Sequence, residues 1–236
     1  MSDAHQRGLE ILYEDNDFLV VNKPAGLLTQ APLGIDSLEV RIKRFLNERQ
    51  AEGGDVYLGV PHRIDRPASG AILFAKSLSA ARRISRQFES RRVEKTYWAL
   101  VEGDVRPDEA TWTDHLKKIE GEPRTMVVDG AEREARVAIL HYRVLQRPPG
   151  RTLLEIKLET GRTHQIRAQC ASRGHPLVGD ELYGSCEPFG PWSDDERQRL
   201  IALHARVLRF WQHPLRDYIT VVAPLPEHWR QAGLTL

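Results

Sequence analysis

From Thr111 to Glu159 the chain alternates apolar and polar residues with a period of two: Val137 and Ile139 keep one beat, then Leu154, Ile156 and Leu158 another. Only a strand places every second side chain on one face, so this stretch is read as antiparallel strands. Elsewhere short apolar runs stand between helical patterns. Ile11-Leu12-Tyr13 and Phe18-Leu19-Val20-Val21 flank a turn at Glu14–Asp17, and Lys23-Pro24-Ala25-Gly26 breaks the second strand. Ala71–Ala75 and Thr96–Val101 read as buried strands, and Val207–Phe210 and Ile219–Ala223 as closing ones. Helices are predicted over Asp36–Gln50, with Asp36 and Glu39 as a capping box and Gly53-Gly54 as the stop. A second follows the cap Ser77, with Leu78, Ala81, Ile84 and Phe88 on its inner face. A third runs from the cap Thr163 to Arg173 and ends at Gly174, and a short one near Ser193 pairs that residue with Glu196. Strands and helices that do not strictly alternate predict an α+β domain on a mixed sheet.

The chain has 236 residues, long enough for a sizeable core, and no long linker splits it, so one domain over residues 1–236 is expected. Lys+Arg number 34 against 33 for Asp+Glu, a formal net charge of +1, which argues against a dense non-specific nucleic-acid coat but not against a local basic face. Apolar runs stop at about five residues, far short of the roughly 20 that span a membrane. The N-terminal stretch has no apolar core of a secretory signal. Two cysteines, Cys170 and Cys186, fit a reducing compartment, so a cytoplasmic setting is expected.

Four stretches can carry chemistry. His62-Arg63-Ile64-Asp65-Arg66-Pro67-Ala68-Ser69-Gly70 packs a histidine, two arginines and a carboxylate into a loop feeding a buried strand. That is a way to present an ionised catalytic Asp65; on composition alone it is more often a surface turn with an ion pair. Thr160-Gly161-Arg162-Thr163-His164-Gln165-Ile166-Arg167 puts a glycine and two arginines at a helix start, either an anion site or an ordinary capped helix. Between Arg82 and Lys95, six of fourteen residues are basic, and Arg82 and Arg86 share a helix face. Such a face can follow a phosphate backbone or simply be solvated. Tyr97 and Trp98 follow on a strand, suited to stacking on a base or to core packing. Triphosphate and dinucleotide loops, zinc spacings and the nucleophile elbow of hydrolases are absent.

Taken in order, these stretches resemble the RluA-type RNA pseudouridine synthases. His62-Arg63-Ile64-Asp65 with Ser69-Gly70 resembles the signature HRLDxxTSG, Lys23–Gly26 the KPxG element, Glu94–Ala99 the K-x-Y-x-A strand, and Thr160–Arg167 the TGRTHQIR helix. His175–Asp180 with Tyr183-Gly184 and Leu203-His204-Ala205 extend the likeness over roughly residues 11 to 225. The resemblance implies a mixed, mostly antiparallel sheet with flanking helices and a central RNA cleft, and isomerisation of uridine to pseudouridine in ribosomal or transfer RNA. It implies that Asp65 is the catalytic carboxylate, that Tyr97 lies against the target base, and that Arg167, rather than Arg162, pairs with the carboxylate. His62, Arg63, Arg82, Arg83, Arg86 and Arg162 are expected to meet RNA. No metal, organic cofactor or obligatory protein partner is expected. Ile64 replaces the pattern's Leu, Pro67 and Ala68 replace a polar residue and Thr, and Gln169 stands where a His often follows. No S4-type module is expected before the first strand, so recognition falls on the catalytic domain and its loops, including the insertion Leu116–Gly130 with Lys117, Lys118 and Arg124. Two other readings remain: a catalytically impaired RNA-binding module on the same scaffold, and a carboxylate-dependent hydrolase.

Overall fold

A computed structural model describes residues 9–49 and 56–234. In chain order the elements are β1 (Glu10–Glu14), β2 (Phe18–Lys23), α1 (Leu38–Glu48), β3 (Ser69–Ala75), α2 (Leu78–Glu89), β4 (Glu94–Glu102), β5 (Glu109–Lys118), β6 (Thr125–Val128), β7 (Arg136–Gln146), β8 (Arg151–Leu158), α3 (Gln165–Ala171), β9 (Leu203–Gln212), β10 (Asp217–Val222) and the single turn α4 (Glu227–Arg230). This is the α+β, mostly antiparallel architecture that the sequence predicts. Two compact units result: Met1–Glu94 with Ala205–Pro224, and Lys95–His204 with Leu225–Leu236. No helix among the described residues is long and apolar enough to cross a membrane.

In the first unit the strand order is β1-β2-β3-β9-β10. The β1–β2 hairpin closes on Asp15, whose carboxylate accepts from the amides of Asp17 (2.8 Å) and Phe18 (2.6 Å). Every residue of β3 is buried, and all of β2 except Asn22, which is why both read as continuous rather than alternating apolar runs. Phe18, Leu73, Ile84 and Phe210 anchor the core, the two phenylalanine rings meeting edge to face at 5.4 Å.

Two details of the helices of the first unit differ from expectation. Ser37, not Asp36, caps α1, accepting from the amide of Val40 (3.3 Å), while Asp36 turns to the guanidinium of Arg41. Both residues are good caps, and only the extended backbone at Ser37 selects it. Ser77 caps α2 as predicted, but Leu78 is 52% exposed; Ala80, Ile84 and Gln87 form the buried face, two residues out of phase with Leu78. The glycine pair Gly53-Gly54, expected to stop α1, lies outside the described residues.

In the second unit the order is β4-β8-β7-β5-β6, with antiparallel registers throughout. In β7 the residues between Val137 and Ile139, and after them, form the covered face. Ala138, Leu140 and Tyr142 are buried, whereas Val137 is 41% exposed. The reason is α3, whose Ala168 packs against Ala138 and Leu116 and so chooses the covered face. Helix α3 is also shorter than predicted and Thr163 does not cap it. His164 occupies the cap position at φ 53°, and the side chain of Gln165 accepts the Arg162 amide (3.0 Å) and the Thr160 hydroxyl (2.8 Å). Gly174 follows its end at φ 77°. The predicted helix near Ser193 is a single 3-10 turn, Glu196–Gln198, capped by Asp195. A second core gathers Leu100, Leu153, Val178 and Phe189 around the buried Trp229 of α4. Cys170 is buried, Cys186 exposed, and both are free.

Candidate active site

The first unit builds its site from two loops that leave opposite ends of one rung. Lys23, the last residue of β2, is the register partner of Gly70 near the start of β3. The sheet therefore sets Lys23–Thr29 beside His62–Ser69. Gly26 and Arg66 then bond twice: the Gly26 amide donates to the Arg66 carbonyl (2.8 Å), and the Arg66 Nε donates to the Gly26 carbonyl (3.0 Å). Gly26 sits at φ 85°, a conformation that glycine adopts without strain. The ammonium of Lys23 donates to the carbonyls of Pro24 (2.9 Å), Leu27 (2.8 Å) and Arg66 (3.2 Å).

Lys23 has no exposed surface. Burial pushes its pKa down to about 7, the charge of Asp65 opposing that shift and the charge of Arg66 adding to it. Asp65 itself is partly exposed, and its carbonyl accepts from the Ala68 amide (3.1 Å), closing the turn that carries it. Ile64, immediately before it, is buried and held by Thr29, whose hydroxyl donates to the Ile64 carbonyl (2.9 Å) and accepts from the Ile64 amide (3.3 Å). Ala68 is fully buried. Gly70, at φ 118°, permits the backbone of Ala205 to approach so closely that a Cβ there would collide with the Ala205 carbonyl.

The flanking basic residues divide by what they touch. Arg63, Arg82 and Arg86 are exposed. Arg83 is paired with Asp17 (2.7 Å). His62 turns inward: its Nε2 accepts from the Leu73 amide (3.0 Å), which puts the ring proton on Nδ1, and its ring lies 4.8 Å from that of Phe88 on α2.

The second unit holds Tyr97, Arg162 and Arg167. Tyr97 lies on β4 opposite Ile156 and is 9% exposed. Arg167, on α3, is buried and grips buried Asp180 with two parallel bonds, Nε to Oδ2 at 2.6 Å and Nη2 to Oδ1 at 2.8 Å. Its guanidinium also lies 4.9 Å from the centre of the Tyr183 ring. Arg162 is exposed and donates to the Val137 carbonyl (2.9 Å). Lys95 is largely buried, which lowers its pKa, and Gly161 leaves room for it: a Cβ at that glycine would stand 3.1 Å from Nζ. Gln169 donates to Asp114 (2.6 Å), which also receives Arg173 (2.9 Å). In the insertion, Lys117 pairs with Glu132 and Arg124 with Glu122.

Sequence reasoning set Arg66 beside Asp65 but did not anticipate its bonds to Gly26 and Lys23, nor Thr29 and Asp180 as partners of the motif residues. A usable signal existed only for Lys23, a cation that ends a continuous apolar strand and precedes a proline. Among the described residues, no three His, Cys, Asp or Glu side chains are grouped to hold a metal ion.

The fold is that of the pseudouridylate synthase domains. Human RNA pseudouridylate synthase domain containing 1 matches with a TM-score of 0.72 at 28% identity, over 96% of this chain and 87% of that one. Human RNA pseudouridylate synthase domain containing 4 shares the fold with a TM-score of 0.74 at 24% identity, over 94% and 91%. Sequence then adds the family. The RNA pseudouridylate synthase model matches residues 17–172, which include Asp65, Tyr97 and Arg167. Ribosomal large subunit pseudouridine synthase D of Xylella fastidiosa is 35% identical over 226 residues, covering 93% of this chain and 66% of that protein. The protein of the same name from Pseudomonas aeruginosa is 33% identical over 232 residues, covering 93% and 69%. The chain belongs to the RNA pseudouridylate synthase family, isomerases that act on uridine in RNA. It spans about two thirds of the length of these relatives.

Proposed function

We propose that this chain isomerises uridine to pseudouridine in a structured ribosomal or transfer RNA, with Asp65 as the catalytic carboxylate. The observation that carries the proposal is the mounting of Asp65: partly exposed, on a turn clamped by Gly26–Arg66 and Thr29–Ile64 contacts at the head of a fully buried strand. A rigid mounting is what a reacting group needs. The relatives named for the ribosomal large subunit favour ribosomal RNA as substrate. They also support a cytoplasmic setting.

The reaction breaks the bond between N1 and C1′, turns the base, and joins C5 to C1′. The hydrogen on C5 leaves to solvent and N1 gains one, so nothing is oxidised or reduced overall. An ionised carboxylate serves this chemistry as nucleophile, as base, or as counter-charge to the sugar cation. Tyr97 is assigned to the face of the target base and Arg167 to the carboxylate, by the family likeness and residue by residue. The base must leave its stack, at a cost of about a few kcal/mol that contact with the backbone and stacking offset. Arg63, Arg82, Arg86 and Arg162 are assigned to the RNA because each is exposed. His62 and Arg83 are assigned a lesser share, since each is less exposed and has its side chain bonded within its unit.

The test uses the full chain and ribosomal and transfer RNAs carrying tritium at uridine C5. Release of tritium to water is expected, and none with Asp65→Asn, whose fold and RNA affinity should remain. RNA binding without release by the wild type would support the non-catalytic reading instead.

A further inference from the structure

We infer that Thr29 is the positioning residue for the Asp65 carboxylate, acting through the peptide group of Ile64; the inference rests on the proposed role of Asp65. The carbonyl of Ile64 is bonded directly to the nitrogen of Asp65, so the plane of that peptide sets the direction in which the Asp65 side chain leaves the loop. A buried hydroxyl holds it. Thr29 Oγ1 donates to the Ile64 carbonyl at 2.9 Å and accepts from the Ile64 amide at 3.3 Å. Both ends of this contact are buried, with Thr29 3% and Ile64 5% exposed, so water is a poor substitute for the hydroxyl.

Thr29 is itself held. Its carbonyl accepts from the Glu39 amide (3.1 Å) and the neighbouring Leu28 carbonyl from the Leu38 amide (2.8 Å), both in the first turn of α1. A chain of fixed groups therefore runs from the start of α1 through Thr29 and Ile64 to Asp65. The side chain of Ile64 fills the core beneath, so the loop is pinned below by packing and beside by the hydroxyl. The Gly26–Arg66 and Lys23–Arg66 bonds fix the other flank of Asp65, and Thr29 holds the Ile64 side. Valine matches the shape of threonine but has no hydroxyl; serine keeps the hydroxyl and loses a methyl.

The experiment measures single-turnover tritium release and RNA dissociation constants for wild type, Asp65→Asn, Thr29→Val, Thr29→Ala and Thr29→Ser, with thermal midpoints of each. The rate constant for Thr29→Val is expected to fall by about 100-fold, as displacement of a reacting group does, with RNA affinity within about threefold of wild type. Thr29→Ser should recover most of the lost rate. A Thr29→Val rate within about threefold of wild type would overturn the inference, as would equal losses in the valine and serine variants. If neither the valine nor the alanine variant folds, the inference also fails, because Thr29 would then support the fold rather than the carboxylate. An inactive wild type overturns the proposed function instead, and an active Asp65→Asn its choice of carboxylate.

Discussion

Gly26 and Arg66 bond to each other twice across the two loops of the first unit, amide to carbonyl at 2.8 Å and guanidinium to carbonyl at 3.0 Å. These residues stand forty positions apart, yet together they determine where the intervening aspartate turn rests. Because Gly26 holds φ at 85°, a side chain there is strained. Gly26→Ala is expected to cost about 1–2 kcal/mol in urea unfolding and to slow isomerisation. An unchanged midpoint would show that the turn can relax.

Lys23 makes stability depend on pH with a defined sign. Its folded pKa is about 7 against an ordinary 10.5, so between those values the unfolded chain binds more protons. Unfolding free energy from this group therefore rises with pH from about 7 to 10.5 and is flat outside that window, with a slope of at most about 1.4 kcal/mol per pH unit. The check is urea denaturation of wild type and Lys23→Met from pH 6 to 10. The difference between them should shift in favour of wild type as pH rises. A constant difference would contradict the burial argument.

Asp180 and Arg167 form a bidentate pair with side chains 1% and 5% exposed. Asp180→Ala removes the two parallel bonds that this carboxylate makes to the buried guanidinium, which is expected to cost about 3–5 kcal/mol. Asp180→Asn keeps an acceptor and should cost less. Chemical denaturation distinguishes them, and equal, small losses would argue against a desolvated pair.

The basic residues of α2 should separate in their salt dependence. Arg82 and Arg86 are exposed, so replacing each by alanine should lower the slope of log affinity for RNA against log salt by about 0.7–0.9. Arg83 is paired with Asp17, so Arg83→Ala should leave the slope nearly intact and cost about 1 kcal/mol or less of stability. Filter binding across a salt series reads both. An equal slope change for Arg83 would place it on the RNA.

Local chemistry was enough to identify several parts of this protein. The continuous apolar runs of β2 and β3, the alternation from Thr111 to Glu159, the Ser77 cap and the order of the motifs from Lys23 to Ala205 all depend on neighbours in sequence, and all were legible there. The buried face of β7 was not. Apolar residues occupy both of its parities, and the choice of Ala138, Leu140 and Tyr142 over Val137 and Ile139 belongs to α3 packing from elsewhere in the chain. Ser37 prevails over Asp36 as a cap through backbone angles that composition does not encode. Above all, the composition of His62–Gly70 fits a solvated turn as well as a mounted carboxylate. Only the tertiary structure brings Thr29 to Ile64 and Gly26 to Arg66, because hydrogen bonds between segments about 35 to 40 residues apart leave no periodic trace in either segment.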